Sequence, residues 1–502
     1  MRGIYTEANS IRRRVFKEVA QLAYEGGDYK RIEDLPFKII PGQEANYRES
    51  IFLERAIIGE RLRLAIGLPV RDYTEYAPIA DKINDSAIEE KYYDPPLVNI
   101  IKFACDKCPD NVVKTTSVCR GCLAHPCSEV CPVDAISFIK GKSIIDQDKC
   151  IKCGMCIKAC PYDAIMRLER PCAKSCGVDA ISSDELGRAE IDYDKCVSCG
   201  MCLVNCPFGA ISDKGQIFQT VLALKDPKNE VYAAVAPAFV GQFGPQVTVE
   251  KLNAAMSKLG FAGVVEVAIG ADLCTVEEAQ DFIEKVPSEL PFMATSCCPA
   301  WASMAKKQFP EQANCISMAL TPMVLTGRLI KKVHPGCKVV FIGPCSAKKL
   351  EASRKSVRSD IDFVLTFEEL VGMFEAMAID LNDLEDKEMD FEASEDGRGF
   401  AVAGGVATAV LDCIKREQPD REVNVIKADG LRECSKMMMV AKAGKYDGYL
   451  LEGMACPGGC VAGAGTMLDI NKSTRQLNDY KKKAPFKESI DTKYREYLEL
   501  LD

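Results

Sequence analysis

Hydrophobic and polar positions divide the chain into three stretches of different texture. Residues 1–100 hold helical patterns, and in NYRESIFLERAIIGERLRLAIGL the apolar positions that recur at helical spacing are Ile51, Phe52, Ala56, Ile57, Leu62 and Ala65. Ser50 is a suitable cap for that helix. From 221 to 502, short β-rich runs such as EVYAAVAPAFV and KVVFIGPC alternate with helical stretches such as TVEEAQDFIEKV. This alternation predicts an α/β domain with mainly parallel sheets, preceded by a helical N-terminal region.

The middle stretch, residues 101–220, consists of repeats of a short cysteine motif. Four segments end alike, and they read CSEVCPVDAI, CIKACPYDAI, CAKSCGVDAI and CLVNCPFGAI. Internal similarity of this kind indicates duplicated units. Sixteen of the 26 cysteines lie between Cys105 and Cys206, whereas the whole chain has two histidines. So many cysteines in a reducing compartment favour metal ligation over a disulfide framework.

The spacing of these cysteines is that of bacterial ferredoxins. The cysteines from Cys150 to Cys160 form C-x2-C-x2-C-x3-C-P, in which three thiolates hold one [4Fe-4S] cube and the fourth serves its neighbour. Those from Cys196 to Cys206 repeat the spacing, and those from Cys119 to Cys131 form a variant with a longer middle gap. Zinc ribbons lack such crossed runs with a final proline. Ferredoxin-like α+β modules with [4Fe-4S] clusters are therefore predicted.

The crossed rule predicts three cubes and leaves a fourth open. The three predicted ligand sets are Cys119, Cys122, Cys127 and Cys160; Cys150, Cys153, Cys156 and Cys131; and Cys196, Cys199, Cys202 and Cys176. Cys172 and Cys206 then lack two partners, and the unassigned thiols nearby are Cys105 and Cys108. Either these four thiols hold a fourth cube, or Cys105 and Cys108 are spare. Three to four accessory [4Fe-4S] clusters are expected, and chained cubes form an electron conduit.

Charge and hydropathy exclude several classes of protein. The net charge of −9 gives no basic footprint for nucleic acid. No apolar stretch is long enough for a membrane span, and the N-terminus lacks the apolar core of a signal peptide. A cytoplasmic location is therefore expected.

Three further cysteine loops follow three predicted strands in the C-terminal stretch. TSCCPAW contains Cys297 and Cys298, GPCSAKK contains Cys345, and EGMACPGGC contains Cys456 and Cys460. Ligands of α/β sheets gather at the carboxyl ends of strands, so four of these thiolates can hold a buried cube. Adjacent thiols rarely reach disulfide geometry, and the doublet in TSCCPAW therefore suggests two different roles for its thiols.

The segments TSCCPAW, GPCSAKK and EGMACPGGCVAGAG resemble the three signature segments of [FeFe]-hydrogenases. The resemblance covers residues 230–470, and the upstream modules are similar to the accessory domain of that family. It implies that the chain interconverts H2 with two protons and two electrons at an H-cluster. This cofactor is a [4Fe-4S] cube joined to a dinuclear iron unit that carries CO, cyanide and a bridging dithiolate amine.

The resemblance also assigns residues by position. The implied cube ligands are Cys298, Cys345, Cys456 and Cys460, with Cys460 bridging to the dinuclear unit. Cys297 is implied to be a free thiol that passes protons, and the path continues through Glu278, Ser317 and Asp281. Lys348 matches a lysine that hydrogen-bonds a cyanide. The residues assigned to the surroundings of the cofactor are Lys348, Met454, Pro237 and Ala238.

Several positions depart from the family pattern. Ala238 stands where many members have serine, Met323 where they have glutamine, and Gly343 where they have methionine. Asp281 replaces a glutamate in the implied proton path. Because the partners around a metal group tune its electronics, these departures predict a divergent branch with altered catalytic bias and rate.

Two alternatives to the enzyme remain open. One is an H2 sensor with the same cofactor and low turnover, and the other is a non-catalytic relative that handles iron–sulfur clusters during assembly. Retention of Cys297, Lys348 and Cys460 argues against the second. The partners expected for the enzyme are ferredoxin or a similar small electron carrier, together with the maturation proteins that make CO and cyanide. Life in an anaerobe is also expected.

Overall fold

The N-terminal region is helical in the computed structural model, which describes residues 3–387 and 392–501. Its helices are α1 (Glu7–Glu25), α2 (Leu35–Ile39), α3 (Ile51–Ala65) and α4 (Ile83–Ser86). Ser50 caps α3 by accepting a hydrogen bond from the backbone amide of Phe52. The predicted helical character of this region is confirmed.

Helix α3 differs from the amphipathic helix that the sequence predicts. Phe52, expected on its apolar face, is 77% exposed, whereas Arg61 and Arg63 are buried. The guanidinium of Arg63 donates to the carbonyl oxygens of Ile79 and Asp81 at 2.7 and 2.8 Å. Neighbouring loops enclose this helix, so its polar side chains bond backbone carbonyls instead of water.

The middle region consists of short antiparallel strand pairs and short helices. Its elements are β1 (Val98–Ile100), β2 (Val112–Thr115), α5 (Pro126–Glu129), β3 (Ile136–Ile139), β4 (Lys142–Ile145), α6 (Met155–Ala159), β5 (Ile165–Leu168), α7 (Pro171–Lys174), β6 (Ile181–Ser183), β7 (Ala189–Ile191), α8 (Met201–Asn205) and β8 (Ile211–Asp213). The pairs are β1 with β8, β2 with β5, β3 with β4 and β6 with β7. This arrangement confirms the ferredoxin-like α+β prediction.

The C-terminal region alternates helices and strands. Its elements are α9 (Ile217–Lys225), β9 (Val231–Val235), α10 (Val249–Leu259), β10 (Gly263–Glu266), α11 (Ala268–Lys285), β11 (Met293–Ala294), α12 (Pro299–Gln308), α13 (Pro322–Val333), β12 (Lys338–Gly343), α14 (Ala347–Glu351), β13 (Phe363–Thr366), α15 (Phe367–Ala376), α16 (Glu395–Gly399), α17 (Gly405–Glu417), β14 (Asn424–Asp429), α18 (Leu431–Lys442), β15 (Tyr449–Met454), α19 (Ile470–Lys481) and α20 (Leu498–Leu501).

These strands form two parallel sheets. One has the order β10–β9–β12–β13, and the other has the order β11–β15–β14. Every residue of β9 is buried, as expected for a central strand of a parallel sheet with both faces covered. The predicted α/β class with mainly parallel sheets is confirmed, and the sheet is divided in two.

The N-terminal helices share one hydrophobic core with the first of these sheets. Residues of α1, such as Val19 and Leu22, are buried in the same cluster as Phe367 and Leu370 of α15. Arg12 of α1 also forms an ion pair of 2.8 Å with Glu368 at the start of α15. Within the described ranges, no helix combines the length and the apolar character that a membrane crossing needs.

Candidate metal centre

The three C-terminal cysteine loops meet at one cavity. β12 of the first sheet and β11 and β15 of the second end beside it, so the loops come from both sheets. The cavity has a volume of about 90 Å³, whereas one buried water needs roughly 10–15 Å³. Its lining includes Cys297, Cys298, Cys345, Cys456, Cys460, Lys348, Met454, Pro237, Ala238 and Met323. All the residues that the resemblance assigned to the cofactor are therefore brought together here.

The thiols at this cavity are buried and close to one another, and both effects raise their pKa values. Burial raises the pKa of Cys298, and burial together with the charge of Cys298 raises the pKa of Cys345 to about 11. The pKa of Cys460 is raised by burial and by the same two neighbours. Thiolates this close repel one another unless a metal compensates their charge. A group that binds all of them fits this donor set.

The chemistry of the donors suits an iron–sulfur cube better than a single ion. Within residues 3–387 and 392–501, no group of three or more His, Cys, Asp or Glu side chains is arranged to hold one metal ion. In a cube each thiolate instead binds its own iron. The amide of Ala455 also donates to the sulfur of Cys298 at 3.4 Å, which is a contact that stabilises a thiolate.

Glycine lets the last loop approach the rest of the site. Gly459, directly before Cys460, has a φ of 93°. A Cβ atom on this residue would lie 2.5 Å from the backbone nitrogen of Ala403. Only glycine fits both the backbone angle and the space.

Lys348 lies at the edge of the cavity with a protein partner of its own. Its ammonium lies 2.7 Å from a carboxylate oxygen of Glu351 and donates to the Thr321 hydroxyl at 3.0 Å. Burial opposes the charge, but Glu351 and the nearby thiols Cys345 and Cys297 outweigh it and raise the pKa of Lys348. From the resemblance, a bound cyanide is the expected anionic partner of this lysine. Glu351, one turn further along α14, already provides a carboxylate, and sequence reasoning did not identify it.

Cys297 adjoins a buried carboxyl group. Glu278, on α11, is fully buried, and its carboxylate accepts a hydrogen bond of 3.0 Å from the amide of Ser296. Burial raises the pKa of Glu278 to about 7, against hydrogen bonds from Ser296 and Ser317 that lower it. Burial and the charge of Glu278 also hold the pKa of Cys297 well above its usual range. These residues form one electrostatic group.

Asp281 lies at the outer end of this group. It is three residues after Glu278 on α11, and its charge contributes to the raised pKa of Glu278. It is partly exposed and forms an ion pair of 2.6 Å with Lys285. The structure therefore orders the predicted residues from the cavity to the surface, and their role in proton transfer stays a prediction.

The departure at Gly343 has a steric reason. A Cβ atom on Gly343 would lie 2.5 Å from a ring carbon of Phe341. Phe341 itself lines the cavity, as do Ala238 and Met323. The phenylalanine ring occupies the space into which a larger residue at 343 would project. The need for glycine at 343 was not predictable from the sequence, because it depends on the direction of the Phe341 side chain two residues away.

The four cysteine repeats share a backbone contact with sulfur. The amide of the alanine four residues after the last cysteine of each repeat donates to that cysteine. The pairs are Ala135 with Cys131 at 3.3 Å, Ala164 with Cys160 at 3.4 Å, Ala180 with Cys176 at 3.2 Å and Ala210 with Cys206 at 3.3 Å. Hydrogen bonds to ligand sulfur tune cluster potentials. All four repeats end in Ala-Ile, and the shared alanine is the feature of the sequence from which this contact could have been predicted.

The thiols predicted for a fourth cube face one another. Burial, then the charges of Cys105 and Cys206, raise the pKa of Cys108. Burial and the charge of Cys206 raise the pKa of Cys172 to about 12, and Cys105 adds to this shift. The sulfur of Cys105 accepts a hydrogen bond of 3.3 Å from the amide of Ala189. The four thiols therefore influence one another, and a fourth accessory cluster held by them stays a prediction.

An iron count tests the fourth set. We expect the Cys105→Ala/Cys108→Ala variant to lose about four irons per chain, because one cube contains four and two thiolates do not retain it. Cys413→Ala, which removes a buried thiol outside all ligand sets, is the matched control. Unchanged iron in the double variant would mean that Cys105 and Cys108 are spare thiols.

The third predicted set adjoins the C-terminal cavity. Cys199 lines it, and the pKa of Cys199 is raised to about 12 by burial and, among others, by the charge of Cys345. A Cβ atom on the next residue, Gly200, would lie 2.5 Å from the Cβ atom of Ala464. The cysteine loop at 196–202 therefore packs directly on the loops of the cavity.

Comparisons with known proteins match both parts of the chain. The family model described as iron only hydrogenase large subunit, C-terminal domain, matches residues 229–464, and the 4Fe-4S binding domain matches 143–166 and 189–212. Iron hydrogenase 1 of Clostridium pasteurianum is 30% identical over an aligned length of 456 residues, and the match covers 80% of this chain and 78% of that protein. The periplasmic [Fe] hydrogenase large subunit of Nitratidesulfovibrio vulgaris is 32% identical over 48% of this chain and 70% of that protein.

Two other likenesses are more distant. A probable cytosolic Fe-S cluster assembly factor of Aedes aegypti is 28% identical over 44% of this chain and 57% of that protein. Among solved structures, a variant of the [FeFe]-hydrogenase of Chlamydomonas reinhardtii is 22% identical, with a TM-score of 0.47. That likeness covers 56% of this chain and 92% of the solved one.

Proposed function

This chain belongs to the iron-only, or [FeFe], hydrogenase family, and we propose that it catalyses the reversible reaction of two protons and two electrons to H2 at an H-cluster. The observation that carries the proposal is the convergence of five cysteines and Lys348 on one cavity. In sequence these residues lie on three separate loops, and together they match the three signature segments of the family.

The residues that would hold the cube are Cys298, Cys345, Cys456 and Cys460, and Cys460 would also hold the dinuclear unit. When bound, the H-cluster supplies the metal site at which protons are reduced. Lys348 holds its positive charge at the edge of that site through Glu351. The apolar residues around the cavity exclude water, which strengthens electrostatic interactions inside it.

Proton transfer is assigned to Cys297, Glu278, Ser317 and Asp281. The raised pKa of Cys297 keeps a proton on its sulfur at neutral pH. Glu278, with a pKa of about 7, can accept and return a proton near neutrality, as efficient acid–base groups do. Asp281 and its partner Lys285 connect the buried carboxyl to solvent.

The electron path is proposed to run through the middle region. Residues 101–220 would carry the accessory cubes, and the set that includes Cys199 would deliver electrons to the cavity that it lines. Residues 221–502 would form the catalytic domain and residues 1–100 a helical cover. A small cytoplasmic electron carrier such as ferredoxin is the proposed partner. Maturation proteins are required, because a polypeptide has no means of making CO and cyanide.

Retained residues favour the enzyme over an assembly factor, although the chain is similar to both kinds of protein. The resemblance gives Cys297, Lys348 and Cys460 roles at the dinuclear unit, and this chain retains all three. The test is H2 evolution by the matured full chain with reduced methyl viologen. A rate well above that of the unmatured chain is expected. No difference between them would contradict the proposal.

The protonation of Glu278 gives a pH-dependent signal. Because burial raises its pKa to about 7, the carboxyl is expected to be neutral at pH 5.5 and charged at pH 8.5. An infrared difference spectrum should contain the C=O stretch of a protonated carboxyl at the lower pH only. The part of this band that Glu278 contributes should be lost in Glu278→Gln and kept in Asp272→Asn, which removes another fully buried carboxyl whose pKa is raised to about 7. A band that titrates near pH 4 would contradict the assignment.

A further inference from the structure

Two cysteine loops of the middle region have the same backbone and opposite surroundings. The outer loop, residues 149–158, reads KCIKCGMCIK, and the inner loop, residues 195–204, reads KCVSCGMCLV. The residue before the central cysteine has a φ of 58° in the outer loop and 54° in the inner loop, and the glycine after it has φ values of 80° and 77°. A five-residue helix follows in both, namely α6 and α8.

The inner loop is covered by the C-terminal region. Val197 is 2% exposed and Met201 is 7% exposed. The ammonium of Lys307, on α12, donates to the carbonyl oxygens of Asp194 and Cys196 at 2.7 and 3.2 Å. The apolar side chains of this loop therefore pack against the C-terminal region. The cube predicted for this loop is the one that adjoins that region.

The outer loop presents the equivalent side chains to solvent. Ile151, the counterpart of Val197, is 60% exposed, and Met155, the counterpart of Met201, is 47% exposed. Between them, Cys153 is exposed, whereas the other 25 cysteines are buried or half-buried. Among the predicted cubes, the one to which Cys153 belongs is therefore the one with a solvent-exposed cysteine ligand.

The charge around the outer loop is positive. Lys149, Lys152 and Lys158 belong to it, and no acidic residue occurs from 149 to 158. In the described part of the chain no carboxylate pairs with any of these three ammonium groups. Asp146, just before the loop, directs its carboxylate to the backbone amides of Asp148 and Lys149 at 3.0 and 3.4 Å. With Asp146 and Asp148 included, residues 146–158 contain two aspartates and three lysines, so this stretch has a net charge of +1, whereas the whole chain has −9.

We propose that residues 149–158 form the docking surface for an acidic, one-electron carrier protein, which covers Ile151 and Met155 as the C-terminal region covers Val197 and Met201. The inference rests on the proposed function and names the place where its electrons enter. In each encounter the carrier is oxidised by one electron and the cube at Cys153 is reduced by one. A basic rim attracts and orients an acidic partner, and an apolar centre provides the surface against which that partner packs. A second copy of this chain is disfavoured, because a symmetric contact would set lysine against lysine.

The test measures reduction of the accessory cubes by stopped-flow absorbance in the matured full chain. The donors are a reduced acidic ferredoxin with one [2Fe-2S] cluster, whose spectrum differs from that of the cubes, and, separately, reduced methyl viologen, which needs no docking surface. The test variant is Ile151→Asp/Lys158→Glu. Met377→Asp/Lys472→Glu also replaces an exposed apolar residue and a lysine, makes the same change of net charge on the C-terminal region, and is the control. Iron per chain is counted in each preparation.

For the test variant, we expect the second-order rate with ferredoxin to fall by about tenfold or more, since electrostatic steering contributes about 10–10³ to association rates. The viologen rate and the iron content should stay the same, and the control should match the wild type. An unchanged ferredoxin rate, or an equal fall with both donors at full iron content, would overturn the proposal. If iron is lost, Lys149→Glu/Lys158→Glu, which leaves the apolar centre intact, decides in the same way. The readout requires no H2, so failure of the hydrogenase proposal would be seen separately.

Discussion

Replacement of Cys297 by alanine is expected to lower the rate of H2 evolution by about 10²–10⁴-fold, which is the usual contribution of a positioned acid–base group. Burial and the charge of Glu278 raise the pKa of the Cys297 thiol, so this thiol carries a proton at neutral pH. It can exchange that proton with the carboxyl group of Glu278 beside it. Removing the sulfur would interrupt the proposed proton path at its inner end. The proposed cube ligand Cys298 is untouched, so the iron content should not change.

The measurement is viologen-driven H2 evolution together with iron content and the infrared bands of the matured variant. Cys315→Ala is the matched control, because Cys315 is a buried thiol of the same region and does not line the cavity. Full activity in Cys297→Ala would contradict the proton role. Loss of iron would instead identify Cys297 as a ligand.

Replacement of the adjacent Cys298 by alanine is expected to abolish H2 evolution altogether. This cysteine accepts the amide hydrogen bond of Ala455 and faces Cys345 and Cys460 across the cavity, as a cube ligand would. Without it, the remaining thiolates should fail to hold the cube or the dinuclear unit attached to it. The two members of one doublet therefore have different expected signatures.

Iron and infrared bands separate these outcomes. Cys298→Ala should lose the iron of the H-cluster, should have no CO or cyanide bands after maturation, and should keep its accessory clusters. Cys297→Ala serves as the matched comparison, since the two substitutions differ by one position. Normal bands in Cys298→Ala would contradict the ligand assignment.

Local spacing made the cysteine modules predictable. A crossed C-x2-C-x2-C-x3-C run determines which thiolates lie close together, and the structure groups even the more distant Cys105 and Cys108 with Cys172 and Cys206. The positions of the C-terminal cysteine loops after strands were predictable for a similar reason, because parallel strands present their carboxyl ends to a common edge.

Features that depend on tertiary packing were not predictable. The division into two sheets follows from strand order, which a pattern of alternating runs does not specify. Phe52 fits the helical period, yet α3 is enclosed on its other sides, so this residue faces solvent. The reason for glycine at position 343 likewise depends on the direction of the Phe341 ring, which the sequence does not specify.

The most direct test of the central claim is an infrared spectrum of the anaerobically purified full chain after maturation. CO and cyanide bound to iron absorb where protein is nearly silent. The account predicts these bands, together with H2 evolution from the same sample. Absence of the bands, while a known [FeFe]-hydrogenase matured in parallel acquires them, would contradict it, and the chain would then be an iron–sulfur protein without the dinuclear unit.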